Sequence, residues 1–430
     1  MAAPETKQSV AETMLEGHAV LTGAEWAQST RATARARFLG AGVPGRRDEY
    51  WKYTNPTPLT SSVAPVSAPI VSDEVPVFDS ADVCRLTFVD GVFDPAQSDD
   101  PAVGGVEIQS LAEATAADIH WARDVYGVLE AAGQTPVARP LASFNTATAT
   151  QGFVIRAIGQ AAKPVHFRYL HVSETSDAAV HHVIRVEEGA ALTVLENGAA
   201  AARFNKVMEV DVADGGSFHH VRAQGRDHGR VAGTHLFARL GAESKFKSFT
   251  LTVNGKLTRN DCVIEFTGDD AVGVVAGASI GDGDFHHDDT VFVTHDAVNC
   301  ESRQVFKKVL KNGARGVFQG KILVKEGAQK TDGYQISQAL LLDDDSEFDA
   351  KPELEIYADD VACSHGSTCG AVDETALFYL RSRGVPLSEA QDMMVIAFVD
   401  EAISEIEDAE IADDIRERVA AWLARRSQKP

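Results

Sequence analysis

Basic charge is scarce in this chain. Its 430 residues hold 40 Lys and Arg against 63 Asp and Glu, a formal net charge of −23. A partner gripped mainly through its phosphates needs a basic surface, so nucleic acid is disfavoured. The same deficit disfavours an anionic membrane surface. Long apolar runs are missing too. The densest, residues 393–399, covers seven positions, whereas a spanning helix needs about 20. The first residues carry Glu5, Glu12 and Glu16 with no unbroken apolar stretch, so no signal peptide is expected. Cysteine is thin: Cys84, Cys262, Cys300, Cys363 and Cys369 are an odd number spread over a long chain. That usage suits free thiols in a reducing cytoplasm better than a disulfide framework.

Nucleotide motifs are also lacking. The nearest approach to a P-loop is Gly316-Val317-Phe318-Gln319-Gly320-Lys321-Ile322. Arg315 stands where its first glycine belongs, and Ile322 where a magnesium-binding Ser or Thr belongs. No G-x-G-x-x-G follows a strand and opens a helix. ATP hydrolysis is therefore expected of another chain. What the chain does have is an ordinary globular composition, 44% hydrophobic and 24% charged, which excludes disorder over most of its length.

Three regions follow. Residues 1–145 read as a helical region with a linker. Residues 8–40 suit a helix, stopped by Gly40, Gly42, Pro44 and Gly45. Next comes the aromatic and charged segment 46–54, then a Pro/Ser/Thr-rich linker over 54–72. A strand at 84–89 leads into an Asp90-Gly91 turn, and 110–133 looks helical again. From 146 to 371 helical periodicity vanishes. Short Val, Ile, Phe and Thr runs flank turns at Gly189, Gly215, Gly241 and Gly268, and the intervals between these glycines are nearly equal. A fixed period with two strands per unit and no helix predicts a parallel β-helix, in which stacked coils supply the core that one coil lacks. A jelly roll would give many short strands without requiring the period. Residues 372–430 return to helix. Asp373 is placed to cap the first of these helices, and Ser388 with Gln391 suggests a capping box for the second. That second helix is apolar all round at 393–399, either as the centre of a small bundle or as a helix between its own domain and a partner. The last helix carries one stripe, Ile411, Ile415, Val419, Trp422 and Leu423.

Chemistry-bearing residues are few. The pairs His181-His182, His219-His220 and His286-His287 lie in strand segments, where neighbours point to opposite faces. Such pairs do not readily share one metal and read mainly as core or surface residues. The run Cys363-Ser364-His365-Gly366 is more pointed. Cys363 and His365 are two apart, so an extended strand shows both on one face. Sulfur and imidazole together suit soft and borderline metals such as iron, although a buried Cys beside a satisfied His is the plainer reading.

The stretch Lys351-Pro352-Glu353 through Cys363-Ser364-His365-Gly366, then Leu377-Phe378-Tyr379-Leu380-Arg381-Ser382-Arg383-Gly384, closely resembles the SufD branch of the SufB/SufD scaffold family of the SUF iron–sulfur cluster assembly system. Glu49-Tyr50-Trp51-Lys52-Tyr53-Thr54, Asn299-Cys300-Glu301-Ser302-Arg303-Gln304 and Lys330-Thr331-Asp332-Gly333 add to the resemblance, which is densest over about 285–405. The resemblance implies a right-handed parallel β-helix flanked by helical domains. It implies a non-catalytic scaffold that pairs with SufB through the β-helix and docks the ATPase SufC through its C-terminal helices. Met394 and Phe398 are the SufC-facing candidates on the apolar helix. His365 is implied to help hold iron or the nascent cluster at the SufB interface, with Cys363 a weaker neighbour. Cys369 is a departure from the family pattern that reads as a tolerated substitution. Reduced flavin is implied for such complexes without assignable residues, and a homodimer is compatible when the partners are absent. The competing class is a β-helix enzyme acting on polysaccharide, against which the lack of a signal peptide and the helical C-terminal region both count.

Overall fold

The computed structural model describes residues 6–69, 75–225 and 229–427. Positions 70–72 of the expected linker lie outside these. Strands from Cys84 to Gly370 alternate between two sheets, one of ten strands and one of nine. Along the coil, each strand pairs in parallel with the strand two further on in the chain. Ala191–Asn197 pairs with Ser217–Gln224, which pairs with Lys245–Val253. Two parallel sheets built this way form a β-helix, as the turn spacing predicted, and the jelly roll is set aside.

The step per coil is not constant. Ala191 registers with Ser217 early in the coil, whereas Glu301 registers with Asp332 near its end, a longer step along the chain. The turns also differ from the expectation of a glycine at each bend. Gly189 and Gly215 do take left-handed φ, but at the next two turns Glu243 and Asp270 take it instead of Gly241 and Gly268. Gly268 is there for close approach, since a Cβ on it would lie 2.0 Å from the Ala242 backbone nitrogen.

Two helical expectations need correction. The predicted helix over 8–40 is two helices, Lys7–Glu16 and Glu25–Ala41. The chain reverses between them, and Gly23 adopts a φ of 154° against the Thr115 carbonyl. The stretch 110–133 is likewise broken into Leu111–Ala116, a 3₁₀ turn at Trp121–Asp124 and Val128–Ala132. The Asp90-Gly91 turn forms as expected between Cys84–Val89 and Val92–Phe93. At the other end, Asp373 caps Glu374–Ser382 by accepting from the Thr375 and Ala376 amides. The capping box does not form. The next helix starts at Leu387, directly after Pro386, so Ser388 already lies inside the first turn.

The two ends of the coil are unlike. At the N-terminal end the sheets finish in antiparallel partners, Val92–Phe93 and Val106–Ser110. At the C-terminal end they finish in Glu347–Ile356 and Ala362–Gly370, each with a parallel neighbour on one side only. A mid-coil strand such as Val231–Leu240 is buried at nearly every position, whereas these two are half-buried to exposed throughout.

The outer faces are covered by helices. Val395, Val399, Ile403, Ile415, Val419 and Trp422 pack on Phe249, Ala276, Ile280 and Val305 of the ten-stranded sheet. All five residues of the stripe foreseen for the last helix are buried. On the nine-stranded sheet, the Glu49–Trp51 turn acts as a clamp. Trp51 lies over the Arg259 guanidinium at 4.2 Å. Arg259 donates to the Tyr50 carbonyl at 2.8 Å and to Asp288 at 2.5 Å, and it pairs with Asp261. Gln319 donates to the same carbonyl at 3.1 Å, and the Tyr50 hydroxyl donates to Glu353. Segments 50–54, 288, 319 and 353, far apart in sequence, thus meet in one buried network.

The histidine pairs split across the sheet as strand geometry requires. His182 faces the interior, stacked on Phe167 at 4.0 Å and bonded to the Tyr169 hydroxyl at 3.0 Å. Its neighbour His181 meets Glu209 at 2.8 Å beneath the N-terminal helices. Burial lowers His166 and His182 to about 3, and His219, His235, His286 and His295 to about 4. The folded chain keeps these rings neutral, while the unfolded chain protonates them near pH 6.5. Their contribution is therefore complete above pH 6.5 and lost as pH falls toward 4, each by about 1.4 kcal/mol per pH unit.

This packing sets two measurable outcomes. The urea midpoint should fall steadily from pH 7 to pH 5, and His295→Gln should flatten the slope by about one proton; a level profile would contradict the assignment. Arg259→Ala leaves Asp261 and Asp288 buried without their main cation, so it should destabilise by about 3–5 kcal/mol in urea denaturation.

Candidate functional site

The candidate residues lie on the last strand, Ala362–Gly370. Its register with Asp332–Leu341 sets Cys363 beside Gly333, His365 beside Gln335, Ser367 beside Ser337 and Cys369 beside Ala339. Alternation puts all four on one face. That face is the inward one. Cys363 packs against the cluster of Ile322, Val324, Ala328 and Ala358, and the Ser367 hydroxyl meets the buried Ser337 hydroxyl at 2.5 Å. In an earlier coil this face would be sealed by the next rung. Here no rung follows among the described residues, so Cys363 is half-buried while His365 and Cys369 are exposed. The structure thus brings Cys363 and His365 to one face, as their spacing predicted, and adds Ser367 and Cys369 to it.

The thiols are not activated. Burial pushes the Cys363 thiol up, with Asp332 adding to the effect against a backbone hydrogen bond from Gly333. Burial raises Cys369 as well. The three other cysteines are buried and unpaired, and burial takes Cys262 to about 12. Among the described residues, no three His, Cys, Asp or Glu side chains gather closely enough to hold a metal ion. What this chain offers is an exposed imidazole with a protonated thiol two residues away.

The neighbouring edge strand, Glu347–Ile356, is held from outside. Lys351 lies over the Tyr50 ring at 3.9 Å and donates to Glu49 at 2.6 Å. Pro352 sits on this edge, where a missing amide donor breaks no ladder on the open side. The clamp was missed in the sequence, although its signal was present as the aromatic and charged run at 49–54.

The second candidate surface is the C-terminal helical region. The helix Leu387–Ile403 is one-sided. Val395, Val399, Ala402 and Ile403 are buried, while Met393 is 51% exposed. Phe398 is partly buried, with the Lys307 ammonium 5.0 Å from its ring, and Met394 is also half-buried. Phe378 and Tyr379 on the preceding helix are 74% and 56% exposed, and Leu387 extends the same apolar region. Among the described residues no helix is long and apolar enough to cross a membrane.

Comparison with known proteins is consistent with this geometry. A family model described as "SUF system FeS cluster assembly, SufBD core domain" matches residues 169–398. The iron–sulfur cluster assembly protein SufD of Escherichia coli is 29% identical over 420 residues, covering 92% of this chain and 94% of that one. A SufBD family protein of Synechocystis is 28% identical, covering 90% and 89%. SufD of Bacillus subtilis is 27% identical over 253 residues, covering 57% and 58%. The matched region takes in the coil from its early rungs to its open end and the helix that packs on it, and the chain belongs to the SufBD family of iron–sulfur cluster assembly proteins.

Proposed function

We propose that this chain is the SufD-type, non-catalytic scaffold of a SUF complex. In this reading its open coil end pairs with SufB, its C-terminal helices dock the ATPase SufC, and it works in the cytoplasm. The observation that carries the reading is the asymmetry of the coil, closed by antiparallel strands at one end and bare at the other. Among the described residues these two parallel edges have no further strand beside them, and with one largely half-buried and the other largely exposed they invite pairing with another β-structure. A second coil stacked there would cover His365 and Cys363 and enclose them in an interface.

Iron or the nascent cluster is the cargo of such a site. His365 would give a ring nitrogen lone pair to iron, with sulfur ligands coming from SufB. Cys363, whose thiol burial keeps protonated, plays the lesser part.

His365→Ala should abolish cluster maturation in a strain that depends on this pathway, while the three-protein complex still elutes intact in size-exclusion chromatography. Cys363→Ala should be milder and Cys369→Ala nearly silent. Normal growth of the His365→Ala strain under iron limitation would remove the assignment, and loss of the complex would make His365 structural.

For SufC the exposed apolar region suggests a face centred on Phe378 and Met393, with Met394 at its margin. Phe378→Asp should weaken co-purification of the ATPase by more than about 1 kcal/mol in a titration, and Met394→Asp should do so to a smaller degree. Phe398→Asp, set against Lys307, should act mainly on stability. Full ATPase binding by folded Phe378→Asp and Met394→Asp chains would move the docking face elsewhere.

A further inference from the structure

One interior column of the ten-stranded sheet leads straight to His365. In register, His220 neighbours Ser248, Ser248 neighbours Val275, Val275 neighbours Gln304, Gln304 neighbours Gln335, and Gln335 neighbours His365. The column starts from a satisfied group, since His220 bonds Glu196 at 2.7 Å and Ser248 at 2.9 Å. Near its open end it does not stay satisfied. Gln304 and Gln335 are fully buried, and neither the oxygen nor the nitrogen of either carboxamide has a hydrogen-bond partner among the described residues. Native interiors rarely leave buried amides unpaired, and an apolar side chain of the same shape would be neutral or stabilising there. The surroundings nevertheless make room for one of them. A Cβ at Gly320 would lie 1.6 Å from the Gln335 amide nitrogen, so the glycine of the Phe318-Gln319-Gly320-Lys321 run clears space for that carboxamide.

We propose that Gln335 is the positioning residue for His365, an inference that rests on the reading of His365 given above. Adjacent strands run about 4.8 Å apart, so a carboxamide and an imidazole paired in register are within hydrogen-bond reach. In the assembled interface the Gln335 Oε1 accepts the N–H of one His365 ring nitrogen. That fixes the tautomer and aims the lone pair of the other nitrogen outward, toward iron. Metal-binding histidines are commonly held this way by an acceptor behind them.

The test uses the full chain in its complex. Gln335→Met removes both unpaired groups at nearly constant volume, so the thermal midpoint should stay level or rise while cluster maturation falls at least about tenfold. In a His365→Ala background the same change should add no further loss. In the assembled complex, with ¹⁵N-labelled histidine in this chain alone, the His365 ring, identified by its absence from His365→Gln, should lose its preferred tautomer in Gln335→Met. Gln335→Leu serves as the second variant should Met pack badly. Full maturation by a folded Gln335→Met chain, with His365→Ala still defective, overturns this inference and leaves the site reading standing. Normal maturation by His365→Ala overturns the site reading itself. If neither Gln335 variant accumulates folded, the amide is structural and the inference fails.

Discussion

Every rung of this coil depends on the rung that follows it. A parallel strand satisfies its backbone and buries its inward side chains only when a neighbour lies on each side. From Phe153–Ala157 onward this condition is met rung after rung, and burial along the middle strands is nearly complete. It fails at Glu347–Ile356 and Ala362–Gly370. The same inward positions that hold Phe218 and Phe246 in earlier coils of the ten-stranded sheet hold Gly333 and Cys363 at the end. The function proposed for the chain grows out of that uncompleted condition. In that reading, chemistry is carried where the solenoid stops covering itself.

The interior is more polar than a stack of Val and Ile would require. Glu196 is fully buried and meets Lys206, His220 and Tyr169. Burial alone would raise its carboxyl, but Lys206, His220 and Arg222 outweigh that and hold it well below the usual range. Asp289 is set similarly, between Lys308 at 2.7 Å and His287. Charges in such a setting are stabilising only when all partners are present, which ties neighbouring coils to one another across sheets. Along the column from His220, pairing is complete at the start and lapses at Gln304 and Gln335, next to the open end.

The flanking segments hold this solenoid from outside. The C-terminal helices cover one sheet with aliphatic side chains. The Tyr50–Trp51 turn grips the other through Arg259, Asp288 and Gln319 and reaches the last strand of that sheet at Lys351 and Glu353. Segments that stand far apart in sequence are thereby one structural unit. The N-terminal turn braces the outer face of the last strand of the nine-stranded sheet.

Local rules made much of this legible in the chain. Alternating β-branched runs between turns gave the coil, and its even step showed wherever bends used glycine. Later bends place Asn299 and Lys330 in the left-handed region as well as Gly283 and the Asn312-Gly313 pair, so no regular glycine step marks the lengthening toward the open end. The i, i+2 spacing of Cys363 and His365 was enough to put them on one face, because side-chain alternation is local. Asp373 could be read as a cap for the same reason. The break in the first helix and the failed capping box depended on contacts to Thr115 and on where Pro386 let the helix begin. No local pattern could pair Gln335 with His365 or lay Trp51 over Arg259, because those meetings depend on register between segments far apart along the chain. The sequence by itself determined the repeating strand and turn chemistry. The end of the strand region before residue 372 was also legible, but only the tertiary structure decided which inward-facing residues of that last rung meet solvent, since burial belongs to the stack and not to any strand alone.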